Sequence, residues 1–93
     1  MSIMAQILEI TKEGALKTQI MYKANLSFSQ LNDYIPFMLK TNLITQQTRE
    51  GKGKYIITPK GYDFLQAHSK LIQLLKTELN SPKVEFDQKK RSS

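Results

Sequence analysis

The stretch REGKGKYIITPKGY at residues 49–62 constrains this chain more than any other. Gly51 and Gly53 separate two short strand-like runs, LITQQTRE before them and KYIIT after them. In the first run Leu43, Thr45, Gln47 and Arg49 alternate with Ile44, Gln46 and Thr48. Glycine reaches positive φ without steric cost, so a Gly-Lys-Gly centre between two such runs predicts a β-hairpin. Thr58-Pro59 then predicts a helix start, because threonine caps well and proline fits the first helical position. Arg49, Lys52 and Lys54 surround the expected hairpin tip, which is either an ordinary turn with solvated lysines or a basic finger that meets something negative.

Helical spacing fills the chain on either side of the hairpin. In SIMAQILEITKE, Ile3, Met4, Ile7 and Leu8 form one face of an amphipathic helix, with Ser2 as its cap and Gly14 as its stop. ALKTQIMYKA predicts a second, shorter helix with Leu16, Ile20 and Met21 on one side. A third helix follows in NLSFSQLNDYIPFMLKTN: Ser27 and Gln30 have the spacing of a capping box, and Leu31, Tyr34, Ile35, Met38 and Leu39 make the buried stripe. Pro36 removes one main-chain hydrogen bond, yet the apolar spacing runs through it, so a kinked continuation is expected. The last helix is predicted from about Pro59 to about Asn80, and NSP at 80–82 stops it. Beyond it KVEFDQKKRSS is short and charged, although Val84 and Phe86 alternate with acids as an edge strand would.

The order is helix, helix, helix, strand, strand, long helix. If the second and third helices form a helix-turn-helix and the hairpin is a wing, the fold class is mainly α with a small β-hairpin (α+β). It is a winged helix-turn-helix followed by a long C-terminal coiled-coil helix. Residues 1–58 make the winged-helix domain, 59–80 a dimerisation helix in the same compact unit, and 81–93 a polar tail.

With 93 residues the chain is one small domain, able to build a core but only marginally stable alone. Cysteine is absent, which removes disulfides, thiolate metal sites and cysteine nucleophiles. One histidine leaves little material for a transition-metal site, and no cofactor is expected. No nucleophile–base pair is evident, and GKGK lacks the spacing of a P-loop, so the chain reads as a non-enzyme. No apolar run approaches the roughly 18–20 residues of a membrane span, and Glu9 interrupts the N-terminal apolar stretch, which argues against a signal peptide. A soluble cytoplasmic protein is expected.

The net charge is +6 and the excess lies mostly in residues 1–60, where eight Lys/Arg face four Asp/Glu. Such a field favours polyanions. Arg49, Lys52 and Lys54 are therefore assigned to a wing lying along the sugar-phosphate backbone of DNA or in its minor groove, where released counterions drive binding. The third helix offers Ser27, Ser29, Gln30, Asn32 and Lys40 to the major groove, and Lys17 and Lys23 flank it. Glutamine and asparagine suit adenine, but no arginine is present to read guanine and Asp33 repels phosphate, so sequence readout is expected to be weak.

In the last helix Leu65, His68, Ile72, Leu75 and Leu79 follow a three-four spacing, and Phe64, Leu71 and Leu74 widen the stripe. A helix this long spans roughly 30 Å, more than the core of so small a domain needs. Leu65, His68, Leu71, Ile72, Leu75 and Leu79 are assigned to a homodimer interface. His68 reads as a ring that tunes register in preference to a pH switch.

The run KTQIMYKANLSFSQLNDYIPFMLKTNLI, then YIITPKGYDFL, then the leucine-rich helix, resembles the archaeal ten-kilodalton winged-helix chromatin proteins of crenarchaea over about residues 3–79. Its most specific parts are IMYKANLS and the pattern Y-x-x-T-x-K-G-x-x-F-L. The resemblance implies a homodimer joined by an antiparallel coiled coil, with two winged helices at its ends that bind double-stranded DNA with little sequence preference. It maps the recognition helix to Ser27–Lys40 and the wing to Arg49–Lys54. The chain departs from that pattern at Pro36 and at Pro82, whose early stop shortens the coil and changes the distance between DNA-binding ends. The expected function is that of a nucleoid-associated architectural protein. A sequence-specific regulator and a winged-helix protein-interaction module are the rivals.

Overall fold

Ser2 caps the first helix, its hydroxyl oxygen accepting the Ala5 amide at 3.0 Å. The computed structural model describes residues 2–80, with side chains through Lys76. Helix α1 runs over Ile3–Ile10 and buries Ala5, Ile7 and Leu8 completely. A 3₁₀ turn over Thr11–Glu13 follows. Thr11 is fully buried there because its hydroxyl donates to the Leu8 carbonyl at 3.0 Å.

Gly14, at φ +85°, turns the chain out of α1. The next residue departs from the sequence expectation. Ala15 is not helical; it pairs with Tyr55 through two main-chain hydrogen bonds of 3.0 and 2.8 Å and so lays a one-residue strand beside the hairpin. Helix α2 therefore covers only Lys17–Lys23. Its missing side-chain cap at Leu16 is met in part by Gln19, whose Oε1 accepts the Leu16 amide at 2.8 Å.

Helix α3, Phe28–Lys40, carries the capping box foreseen from its spacing. Ser27 Oγ accepts the Gln30 amide at 3.1 Å, and Gln30 Oε1 accepts the Ser27 amide at 2.9 Å. The helix continues through Pro36, since Leu31, Ile35 and Met38 are buried on both sides of it.

Both α2 and α3 end in the same way. Asn25 and Asn42 take φ of +54° and +63°, and the following leucine amides bond back to Met21 and Met38 at 3.0 and 2.9 Å. This is the Schellman closure, with asparagine where glycine is commonest. It drives Leu26 and Leu43 into the core.

Strands β1, Ile44–Arg49, and β2, Lys52–Ile57, form the antiparallel hairpin. Its tip is not the Gly-Lys-Gly expected. The two-residue loop is Glu50-Gly51, at φ +52° and +76°, the signature of a primed hairpin turn. Gly53 lies inside β2 opposite Thr48, where Gln46 packs over the space a side chain would fill.

Helix α4, Pro59–Asn80, leaves the hairpin at Thr58, which is buried. The single hydrogen of its hydroxyl is shared between the Asn42 and Leu43 carbonyls at 2.7 and 3.0 Å, and its oxygen accepts the Gly61 amide at 3.0 Å. One side chain thus joins the end of α3, the base of β1 and the start of α4. The first turns of α4 pack on α1 and β2, with Leu65 in the core and Phe64 against it. The tail, the Pro82 stop, the Val84–Phe86 strand and the side chain of Leu79 lie outside what is described.

Candidate nucleic-acid interface

The hairpin register fixes which cations act together. Arg49 stands opposite Lys52 and Gln47 opposite Lys54. Directly paired residues share a face, and so do residues two apart on one strand. Arg49, Lys52, Lys54 and Gln47 therefore all project from one face of the hairpin. The other face carries Ile44, Ile57 and Tyr55, which are buried in the core.

That cationic face borders a groove of about 500 Å³. Gly14, Leu16 and Gln19 line its far side and Glu50 closes its tip. The groove exists because Ala15 is stitched to Tyr55, which brings the segment preceding α2 alongside the wing. Sequence reasoning found the three cations but missed Gly14, Leu16, Gln19 and Gln47, because the single-residue strand that assembles them has no periodicity to detect.

On α3, Ser29, Gln30, Asn32, Asp33, Pro36 and Lys40 are exposed, as their spacing predicts. Several are engaged all the same. Ser27 and Gln30 are bonded to each other's main chain in the cap. Asn32 Oδ1 accepts a hydrogen bond from Lys17 Nζ at 2.6 Å, and the same ammonium lies 4.8 Å from the centre of the Phe28 ring. Lys17, half-buried, thus links α2 to α3. Ser29 and Lys40 remain on the outward face.

Lys23, exposed at the end of α2, sits elsewhere. It shares a shallow depression with Glu9, Lys12 and Glu13. Glu9 pairs with Lys12 at 2.9 Å, and that hydrogen bond holds the Lys12 ammonium above the ordinary lysine range.

Three aromatics on these helices are exposed although their residue type favours burial: Tyr22 (81%), Phe28 (61%) and Phe37 (49%). None was singled out from the sequence, where an aromatic reads as core by default. Along α4, Leu65 is buried in its own domain, and His68 and Ile72 are half-buried beside a cavity of about 480 Å³. The His68 ring stacks on Phe64, centroids 6.2 Å apart. Leu71, Leu74 and Leu75 are half or more exposed. Among the described residues there is no cluster of metal-ligating side chains, and no helix is long and apolar enough to cross a membrane.

The chain is similar to known proteins at several levels. A family model described as winged helix-turn-helix matches residues 1–76. The uncharacterized protein MJ0290 of Methanocaldococcus jannaschii is 35% identical over 74 residues, 78% of this chain but 33% of that protein, so the chain spans about a third of its length. MJ0287 of the same organism is 30% identical over 77 residues, covering 82% of this chain and 75% of the relative. Sso10a-2, a DNA-binding protein from Sulfolobus solfataricus, matches in structure with a TM-score of 0.73 at 21% identity, over 81% of this chain and 79% of that one.

Proposed function

Since the chain belongs to the winged helix-turn-helix family, we propose that it binds double-stranded DNA, as a homodimer and largely without regard to sequence, in an architectural role at the nucleoid. The observation that carries this reading is the hairpin register, which gathers Arg49, Lys52 and Lys54 on one face of the wing. Three cations on a protruding ribbon suit a phosphate backbone, which carries one charge per roughly 1.7 Å of duplex. The neighbour Sso10a-2 is described as DNA-binding, which supports the same ligand.

The character of α3 favours weak sequence dependence. It presents no arginine, and three of its polar side chains are occupied within the protein. Backbone contacts position a protein on DNA without specifying a sequence. Lys40 and Ser29 add contacts from α3, and Lys23 adds one from the end of α2.

The dimer reading rests on α4. Leu71, Leu74 and Leu75 form an apolar strip that the chain's own body leaves uncovered. A second copy is the simplest partner for a self-complementary strip. His68 and Ile72 extend the same face, and Leu65 anchors its root in the core.

The deciding experiment is duplex binding across a salt series, with the mass of the free protein measured alongside. If a dimer neutralises about six phosphates, log K falls with log[salt] at a slope near roughly −5. A flat salt dependence contradicts the reading. A preference of roughly 10³-fold for a selected genomic site over random DNA favours a sequence-specific regulator instead.

A further inference from the structure

We propose that Pro36 and Phe37 make α3 a reader of thymine methyl groups in the major groove; the inference rests on the DNA-binding reading above. Leu31, Ile35 and Met38 define the direction in which α3 faces the core. At about 100° per residue, the outward midline of the helix falls between Pro36 and Phe37. Asp33 and Lys40 lie close to that midline, one turn to either side. Pro36 and Phe37 stand about 50° to either side of it, so two apolar side chains flank the charged midline. Phe37 is 49% exposed, and neither residue belongs to the core or to the partly buried side chains packed on it.

Folding gives this pair no visible return. A proline inside a helix forfeits a main-chain hydrogen bond, and an outward phenylalanine leaves apolar surface in water. The hydrogen-bonding capacity of the same helix is meanwhile depleted, with Gln30 in the cap and Asn32 held by Lys17. Ser29, Asp33 and Lys40 keep polar groups on the outward face, and Pro36 and Phe37 add apolar contact beside them. At the base edges of the major groove the apolar group available is the 5-methyl of thymine, and phenylalanine is among the side chains that pack against it.

Charge complementarity selects DNA as the occupant. Lys40 follows Phe37 by three residues on the outward face, and the wing cations stand on the hairpin that leaves the end of α3. Both fit phosphates flanking a groove. A purely apolar protein partner has no use for them.

The test titrates the full chain, at one ionic strength, into duplexes of equal length followed by fluorescence anisotropy. One duplex is A·T-rich, one is the same sequence with deoxyuridine for every thymidine, and a G·C-rich pair differs in 5-methylation of cytosine. Each methyl covered is expected to strengthen binding by about fourfold, the effect of burying one methylene-sized group. The thymine duplex should exceed the uracil duplex, and the methylated G·C duplex should exceed its parent. Phe37→Ala should bring thymine and uracil duplexes level, while Phe37→Leu should keep them apart. Equal binding of thymine and uracil duplexes by the unaltered protein overturns the inference and leaves DNA binding intact. A difference that survives Phe37→Ala also overturns it, because DNA shape is then being read. Failure to bind any duplex at low salt overturns the DNA-binding reading as well and points to a protein partner.

Discussion

Arg49 lies directly across the hairpin from Lys52, like charge facing like. Such pairs destabilise a sheet by a few tenths of a kcal/mol or more. Replacing Arg49, Lys52 and Lys54 together by alanine should therefore leave the fold as stable as before or slightly more so. DNA affinity should fall by a similar factor for every sequence, and the salt slope should lose about one unit per phosphate contact removed. Binding isotherms at several salt concentrations, with a thermal melt of the same variant, check both halves.

Glu50 holds φ +52° at the first position of the two-residue turn. A glutamate in this left-handed region is strained by about 1 kcal/mol, which asparagine or glycine relieves. Glu50→Asn should raise stability by about 0.5–1 kcal/mol in urea unfolding, and its lost negative charge should tighten DNA binding. Glu50→Gln separates the two effects: it should change affinity without the gain in stability.

Gly61 sits where α4 crosses the base of the hairpin. An added Cβ would overlap the Leu43 carbonyl oxygen and approach Ile57 Cγ1 to 2.6 Å. Main chain cannot give way as a flexible side chain can. Gly61→Ala should cost about 3 kcal/mol or more despite alanine's better helix propensity, seen as a fall in the urea midpoint.

The Thr58 hydroxyl is both donor and acceptor within 3.0 Å of three main-chain groups. Thr58→Val keeps the shape and removes the polarity. It should cost about 1–3 kcal/mol, because the Gly61 amide is left unbonded at the helix start. Thr58→Ser should recover most of that loss.

Leu71 and Leu75 are exposed at 55% and 50%. Converting both to lysine should leave the circular dichroism spectrum and the melt of the winged-helix body nearly unchanged. Sedimentation should then report a single copy where the unaltered protein reports two. A dimer that persists in this variant would remove α4 as the interface.

Local chemistry was legible wherever a residue type has one cheap solution. Ser27 with Gln30 announced the start of α3, and Thr58-Pro59 announced α4. The apolar spacing around Pro36 correctly carried the helix through it, because Leu31, Ile35 and Met38 are buried on either side. The hairpin tip was misplaced by glycine itself. Two glycines were available for one turn, and only the strand register decides that Gly51 turns and Gly53 pairs. The two Asn-Leu closures after α2 and α3 were present in ANLS and TNLI. They passed unread because asparagine is a weaker helix stop than glycine.

The sequence by itself determined the order of elements, the capped helix starts, the hairpin and the positive charge. Each of these follows from interactions within a few residues, where the geometry has few alternatives. The tertiary structure decided that Ala15 joins Tyr55 and so opens a groove beside the wing. It decided that Lys17 holds Asn32 and that Phe37 faces outward. Those outcomes depend on pairs of residues far apart in the chain, whose meeting is set by how the helices and hairpin share one core.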